Sequence, residues 1–351
     1  MKNLLFSFFC TTILVLSITN ILKAQDIHFS QFNNSPLTLN PANTGAFNGS
    51  VRAIINYKDQ WGKVTTPFKT YGFSCDGGLF RNKWQNGYLG IGISIFNDAA
   101  GDAKMQQTQA NLSVSCVRRL NKYNNLTAGI QGGFAQKSAN LTNMTWGSQY
   151  NGMAYDPSLP ANEIAPEAFS YQDYSAGILW SYGKGEMYST ANDHFSANIG
   201  LSMFHINKPH QTFIGQSDLM YSKIILHGSS VIGIKNTNIS ICPAIYSAFQ
   251  GKSKEVLFGT LLKYNLKNAS HYTGFVKGSA LYFGGFYRYA DAIVVEAQLE
   301  IHDWLLGVSY DVNTSSLTTA SDGFGGLEIS LKYIFPFGPG SISSNKNARF
   351  F

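Results

Sequence analysis

Residues 105–120 read MQQTQANLSVSCVRRL. Every second residue, Thr108, Ala110, Leu112, Val114 and Cys116, falls on one side, while Gln107, Gln109, Asn111, Ser113 and Ser115 fall on the other. A period of two belongs to a β-strand with one dry and one wet face; at the helical period the same apolar residues would scatter around the whole circumference. The dry face carries no charge. A strand that crosses a membrane needs about 9–11 residues, with lipid-facing and lumen-facing side chains in alternation. This stretch meets that specification.

The pattern recurs on both sides of it. Upstream, Val51, Ala53, Ile55 and Tyr57 oppose Arg52, Asn56 and Lys58, residues 68–75 form a second strand, and Leu89, Ile91, Ile93 and Ile95 oppose Gly90, Gly92 and Ser94. Downstream come strands at 126–137, 174–182 and 195–203. Two more, at 223–234 and 239–249, have no clear dry face, and Pro243 inside the second removes a ladder donor, which implies a bulge or an interrupted pairing. Five clear strands follow at 256–264, 281–287, 293–299, 304–310 and 327–335. In the clear strands nearly every charge lies on the polar face, and a Lys or Arg on a lipid face at mid-bilayer would cost about 2–4 kcal/mol. The expectation is an all-β fold: a transmembrane antiparallel β-barrel of about 14 strands, up-and-down in topology, spanning 51–337. With both termini on the periplasmic side, the long connections 140–170, 207–218 and 313–322 fall on the outer face and the short ones 121–125 and 236–238 on the inner face.

Bulk composition agrees. Charged residues are 13% of the chain, against about 25% in an ordinary soluble protein, and aromatics are 14%. A secreted β-rich protein with an aromatic core shares that composition; strand number and length favour the barrel. The net charge of +6 comes without a Lys/Arg block, which excludes a nucleic-acid partner. Residues 1–24 read as a signal peptide, with Lys2 as the basic region, Leu4 to Ile21 apolar and Ala24 before the cleavage point. No later stretch approaches 18 apolar residues, so a membrane form must be a closed barrel. Residues 25–50 contain Pro36 and Pro41 without periodicity, an irregular segment expected in the lumen or at the periplasmic rim, and 338–351 is a tail. Cys75, Cys116 and Cys242 stand alone in strands and read as small apolar packers, with a single disulfide open to them.

Chemistry leaves no mark. There is no HExxH, GxSxG elbow, P-loop or EF-hand loop. Gly90 and Gly92 sit within a strand rather than between a strand and a helix, and His205 and His227 read as structural. No catalytic residue, cofactor, metal or small-molecule substrate is expected.

Several stretches, taken in order, resemble the PorP/SprF family of outer-membrane proteins of the Bacteroidetes type IX secretion and gliding system. They are Gln25 to Phe32, running into Leu39-Asn40-Pro41-Ala42 and Thr44-Gly45; Asn56 to Gln60-Trp61; Leu89 to Asn97-Asp98 and Gly101; and Gly200-Leu201-Ser202 with Phe204-His205-Ile206-Asn207-Lys208-Pro209. The resemblance continues in Tyr287-Arg288, Asp291-Ala292, Ser309-Tyr310-Asp311-Val312-Asn313, Ser316-Leu317 and Gly326 to Leu331. It implies an outer-membrane barrel without enzymatic activity that supports export or surface anchoring of a secreted protein such as a large adhesin, with other type IX components and outer-membrane lipid as partners. The competing reading is a porin or solute transporter. Of the motif residues, Asn40-Pro41 and Asn97-Asp98 read as turn chemistry, Trp61 and Trp304 suit an interfacial aromatic belt, and His205 and Asp311 would orient a loop or touch a partner. Gln60 and Pro209 complete the set.

Overall fold

The computed structural model describes residues 26–336 apart from 61, 63–65, 82, 85, 102–104, 140–144, 161–167, 185–191, 214–215, 268–277 and 316–317. The signal peptide at 1–24, Trp61, the Ser316-Leu317 pair and the tail at 338–351 therefore lie outside the described residues.

Sixteen strands follow one another: β1 (Val51–Gln60), β2 (Phe68–Leu79), β3 (Gly87–Ala100), β4 (Met105–Arg119), β5 (Asn124–Ser138), β6 (Ala168–Lys184), β7 (Phe195–Phe204), β8 (His210–Phe213), β9 (Gln216–Leu219), β10 (Lys223–Gly233), β11 (Ile239–Gln250), β12 (Ser253–Lys267), β13 (Ser279–Arg288), β14 (Ala292–Ile301), β15 (Trp304–Asn313) and β16 (Phe324–Phe335). All but β8 and β9 form a closed barrel in which each strand pairs with its sequence neighbours and β16 returns to β1. The barrel thus has the expected 14 strands in up-and-down order. Closure leaves no strand edge, the condition that lets a sheet sit in lipid. β8 and β9 pair with each other as a separate hairpin in the long connection expected at 207–218. β6 begins at Ala168, so part of the expected 140–170 loop is wall.

The face assignment follows the alternation. Along β4, Ala110, Leu112, Val114 and Cys116 are exposed on the outside, while Gln109, Asn111, Ser113 and Ser115 are buried. The inward-facing charges Arg52, Lys58, Asp76, Asp173, Lys223, Arg288, Glu296, Asp311 and Glu328 are buried too. Their faces turn toward the lumen, not toward lipid. Cys75, Cys116 and Cys242 are all free thiols.

β10 and β11 explain their own ambiguity. Ile225 on β10 and Ala244, Tyr246 and Ala248 on β11 face inward and are buried against Phe32 and Leu39 of the segment preceding the barrel. With lipid outside and an apolar cluster breaking up the polar positions inside, neither strand alternates cleanly enough to mark its face. Pro243 interrupts the ladder as expected: pairing runs from Ser229 with Ala244 directly to Ile232 with Ile241, without a register shift.

Two expectations are corrected. Asn97 and Asp98 do not form a turn. They lie within β3, opposite Tyr71 and Thr70 of β2. Their side chains find cross-strand partners, Asn97 Nδ2 donating to Thr108 Oγ1 at 2.7 Å and Thr70 Oγ1 donating to Asp98 Oδ1 at 2.6 Å, so the strand runs on to Ala100. The turn comes at Gly101, where φ is +67°. The second concerns the termini. Val51 pairs with Phe335, so β1 starts and β16 stops at one end of the barrel, together with the short turns 120–123, 234–238 and 302–303. Asp26 lies at the other end, where its amide donates to Gln250 at the close of β11. The two chain ends of the wall share a side; the chain leading into it starts from the opposite side. Connections 185–194 and 268–278 also fall at the short-turn end, so the division of long from short loops is not strict.

Candidate functional site, the threaded lumen

Residues 26–50 run through the barrel from the long-loop end to the start of β1. They contain one helical turn, Pro36–Leu39, flanked by 3-10 turns at Phe32–Asn34 and Pro41–Asn43. So little regular structure leaves many backbone groups without local partners, and buried ones must be paired. The wall pairs them.

At the long-loop rim, His205 follows β7 in the left-handed region, with φ +54°. Its Nε2 meets the Asp26 carboxylate and its Nδ1 lies 2.9 Å from Asp173 Oδ1. Burial alone would lower the imidazole; the two carboxylates outweigh it and lift it to about 9. For Asp26, burial pushes upward, but His205 and the lysines nearby hold its carboxyl well below the usual range. One turn deeper, the amides of Ser30 and Gln31 donate to the two Glu328 oxygens at 2.7 and 3.0 Å. Ser30 Oγ donates to Asp311 Oδ2 at 2.8 Å and accepts from Arg288 Nη2 at 2.6 Å. Arg288 also pairs with Asp311 at 3.0 Å and Glu255 at 3.2 Å. Hydrogen bonds to charged groups are the stronger kind, and three ionisable side chains, Glu328, Asp311 and Arg288, grip Ser30 and Gln31 here.

Below this polar collar, the Phe32 ring packs between Tyr246 and Phe286, with centroids 5.7 and 5.8 Å away. Asn40 is next, fully buried. Its side chain caps the following 3-10 turn by accepting from the Ala42 amide at 2.8 Å, and its Nδ2 donates to the Ile178 carbonyl at 3.0 Å while lying 3.2 Å from His227 Nε2. The wall opposite lacks side chains: a Cβ on Gly177 would stand 2.1 Å from Asn40 Oδ1, and one on Gly129 would stand 2.5 Å from the Ala42 nitrogen. Nearer the short-turn end, Gly45 donates to Asp76 Oδ2 at 2.7 Å, Ser115 donates to the Thr44 carbonyl at 2.6 Å, and Arg52 forms a fork with Asp76 through bonds of 2.9 and 2.8 Å. The Arg52 guanidinium lies 4.5 Å from the centroid of the buried Phe47 ring.

The residues singled out in the sequence fall unevenly on this path. Asn40, Pro41, His205 and Asp311 belong to it. The Asn40-Pro41 turn is also a clasp across β6 and β10, and His205 holds the segment's upper end. Pro209 precedes the β8–β9 hairpin, accepting from the Met220 amide at 3.0 Å. Gln60 ends β1 opposite Phe68 and Gly326. Asn97 and Asp98 stand apart. Trp304 is half exposed on the outside and packs against Tyr333 at 4.3 Å, with Tyr123, Trp180, Tyr182 and Phe195 forming a second aromatic cluster at the same end. That is where an interfacial belt belongs. Sequence reasoning gave no role to Arg288, Glu328, Arg52 or Asp76. Their signal was an inward charge on an otherwise clean strand, which marks the lumen without naming what lies in it. Among the described residues no group of three or more His, Cys, Asp or Glu side chains is placed to hold a metal ion.

Comparison with known proteins gives one family. The model of the type IX secretion system membrane protein PorP/SprF matches residues 21–333. No curated protein sequence matches. Among solved structures, the toluene transporter TbuX of Ralstonia pickettii is 9% identical, with 86% of this chain and 94% of that one covered and a TM-score of 0.47. The monoaromatic hydrocarbon channel CymD is 8% identical, with 87% and 93% covered and a TM-score of 0.44. The translocator domain of the autotransporter NalP from Neisseria meningitidis is 13% identical, with 87% and 96% covered and a TM-score of 0.35.

Proposed function

This chain belongs to the PorP/SprF family of type IX secretion system membrane proteins, and from that premise we propose that it is a non-enzymatic outer-membrane barrel that supports export or surface anchoring of a secreted protein such as a large adhesin. It reaches the outer membrane after loss of residues 1–24, and other components of the secretion machine are its partners.

One observation supports this reading over a diffusion porin: residues 26–50 occupy the lumen along its length and are bonded to the wall at the rim, the middle and the base. An aqueous channel needs an open bore. A segment held by charged hydrogen bonds at several levels closes it, and leaves the outside of the wall, the rims and the loops as the surfaces that can act.

The purified mature protein in a planar bilayer is expected to give no steady conductance. A large secreted protein is expected to co-purify with it and to disappear from the cell surface in a deletion strain. A stable, solute-selective pore together with unchanged surface proteins would reverse the reading in favour of a solute transporter.

A further inference from the structure

At the short-turn end the threaded segment does not fill the barrel. A cavity of about 660 Å3 remains between Asn34, Leu39 and Asn43 on the segment and the wall from β6 round to β16, bordered by the strand ends at Lys184, Lys267 and Pro336. Its volume lies within the range of about 300–1,000 Å3 common to ligand sites.

The lining is cationic. Arg52, Lys184, Lys263, Lys267 and Lys332 border it, with Glu300 and Asp303 as its carboxylates. Arg52 is neutralised from behind by Asp76 at 2.8 Å, and Lys263 by Glu300 at 3.2 Å. Among the described residues, five cations against these three carboxylates leave a surplus of two. Lys332 donates to the neutral Asn34 amide oxygen at 3.1 Å and has no ion-pair partner among the described residues. Low-dielectric walls focus such a surplus toward the mouth. Between the charges lie amide and hydroxyl groups, Asn43, Asn198, Ser181 and Ser229, and an apolar patch of Leu261 and Ala244.

We propose that this cavity is a docking site for a short acidic peptide segment of a partner protein on the short-turn side of the membrane. The cation surplus recognises carboxylates, the amides and hydroxyls match a peptide backbone, and the apolar patch takes a side chain. A simple inorganic anion would use only the first of these and leave most of the volume empty. The site's floor is the threaded segment itself, at Asn34 and Asn43, so an occupant would touch the same residues that Lys332 and Arg52 hold. Binding is read on purified protein, so its failure is distinct from failure of the export role, which is read in cells.

The test is fluorescence anisotropy on the full-length protein in detergent, with a labelled peptide of alternating Glu and Leu and its Lys/Leu counterpart as probes. Saturable binding of the acidic peptide alone, weakened by raising salt from ~50 to ~500 mM, is expected. The double variant Lys267→Gln/Lys332→Gln should lose affinity by about tenfold, while Lys69→Gln on β2 at the opposite end should not. Heat-modifiable gel migration checks that each variant still folds as a barrel. Equal binding of both peptides, an unaffected double variant, or displacement of the peptide by equimolar inorganic phosphate would overturn the proposal. Removing residues 338–351 should leave the affinity unchanged; a rise would mean that the chain's own tail occupies the cavity, and would overturn it equally.

Discussion

Asn40 shows how much one side chain can do in a lumen. It caps its own turn, reaches the β6 backbone and meets His227, and Gly177 and Gly200 provide the room. Replacing Asn40 with Ala leaves buried groups unsatisfied and is expected to cost about 1–3 kcal/mol, measured as a shift in the guanidinium unfolding midpoint. Gly177→Ala drives a Cβ into that amide and is expected to cost a similar amount through overpacking. The double variant should cost less than the sum, because the new methyl enters the space the amide vacated. His205 carries a pH dependence. Its folded pKa of about 9 exceeds the ordinary 6.5, so its contribution is complete below pH 6.5 and is lost as pH rises through 9. The Asp26 carboxyl, shifted the other way from 3.8, contributes above that value and loses its share in acid. The rim contact is therefore strongest from pH 4 to 6.5. Corrected for the base-catalysed intrinsic rate, hydrogen-exchange protection of residues 26–31 should fall between about pH 6.5 and 9.5, and His205→Gln should abolish that pH dependence.

At the scale of an element, the threaded segment is neither helix nor strand, and its order is borrowed from the wall. Arg288 is the clearest case: it balances Glu255 and Asp311 while donating to Ser30. Arg288→Met keeps much of the side chain's volume but strands two buried carboxylates, which is expected to cost about 3–5 kcal/mol and to loosen residues 26–31. Flickering conductance in a planar bilayer, absent from the parent protein, would report it. The register of β13 to β16 should survive, since the lipid-facing alternation and the turn geometry define it. The same element accounts for what the sequence left dark. Residues 26–50 have no periodicity because they face no single solvent; they face a wall that differs at every level.

At the scale of the molecule, lipid replaces water as the solvent for one face of every barrel strand, and the lumen-facing Glu328, Asp311, Arg288 and Asp76 bond the threaded segment. The topology assigns each loop to an end. Met153 lies in the β5–β6 connection and is almost fully exposed, whereas Tyr123 lies in the β4–β5 turn at the opposite end. In a background lacking the native cysteines, a membrane-impermeant maleimide should label Met153→Cys on intact cells and Tyr123→Cys only after the outer membrane is breached. The reverse pattern would invert the barrel and move the cationic cavity to the cell surface.

The number of wall strands, the faces of the cleanly alternating ones and closure were legible in the sequence because alternation is a local property: a side chain's neighbours two places away report which solvent it meets. The break at Pro243 was legible for the same reason, since a missing donor is written in the residue itself. The path of residues 26–50 was not. Whether Ser30 meets Arg288, and Asn40 meets His227, depends on contacts between residues far apart in the chain, and no local pattern encodes them. Only closure of the barrel creates the interior in which an irregular segment, a ring of inward charges and a set of inward glycines become parts of one structure.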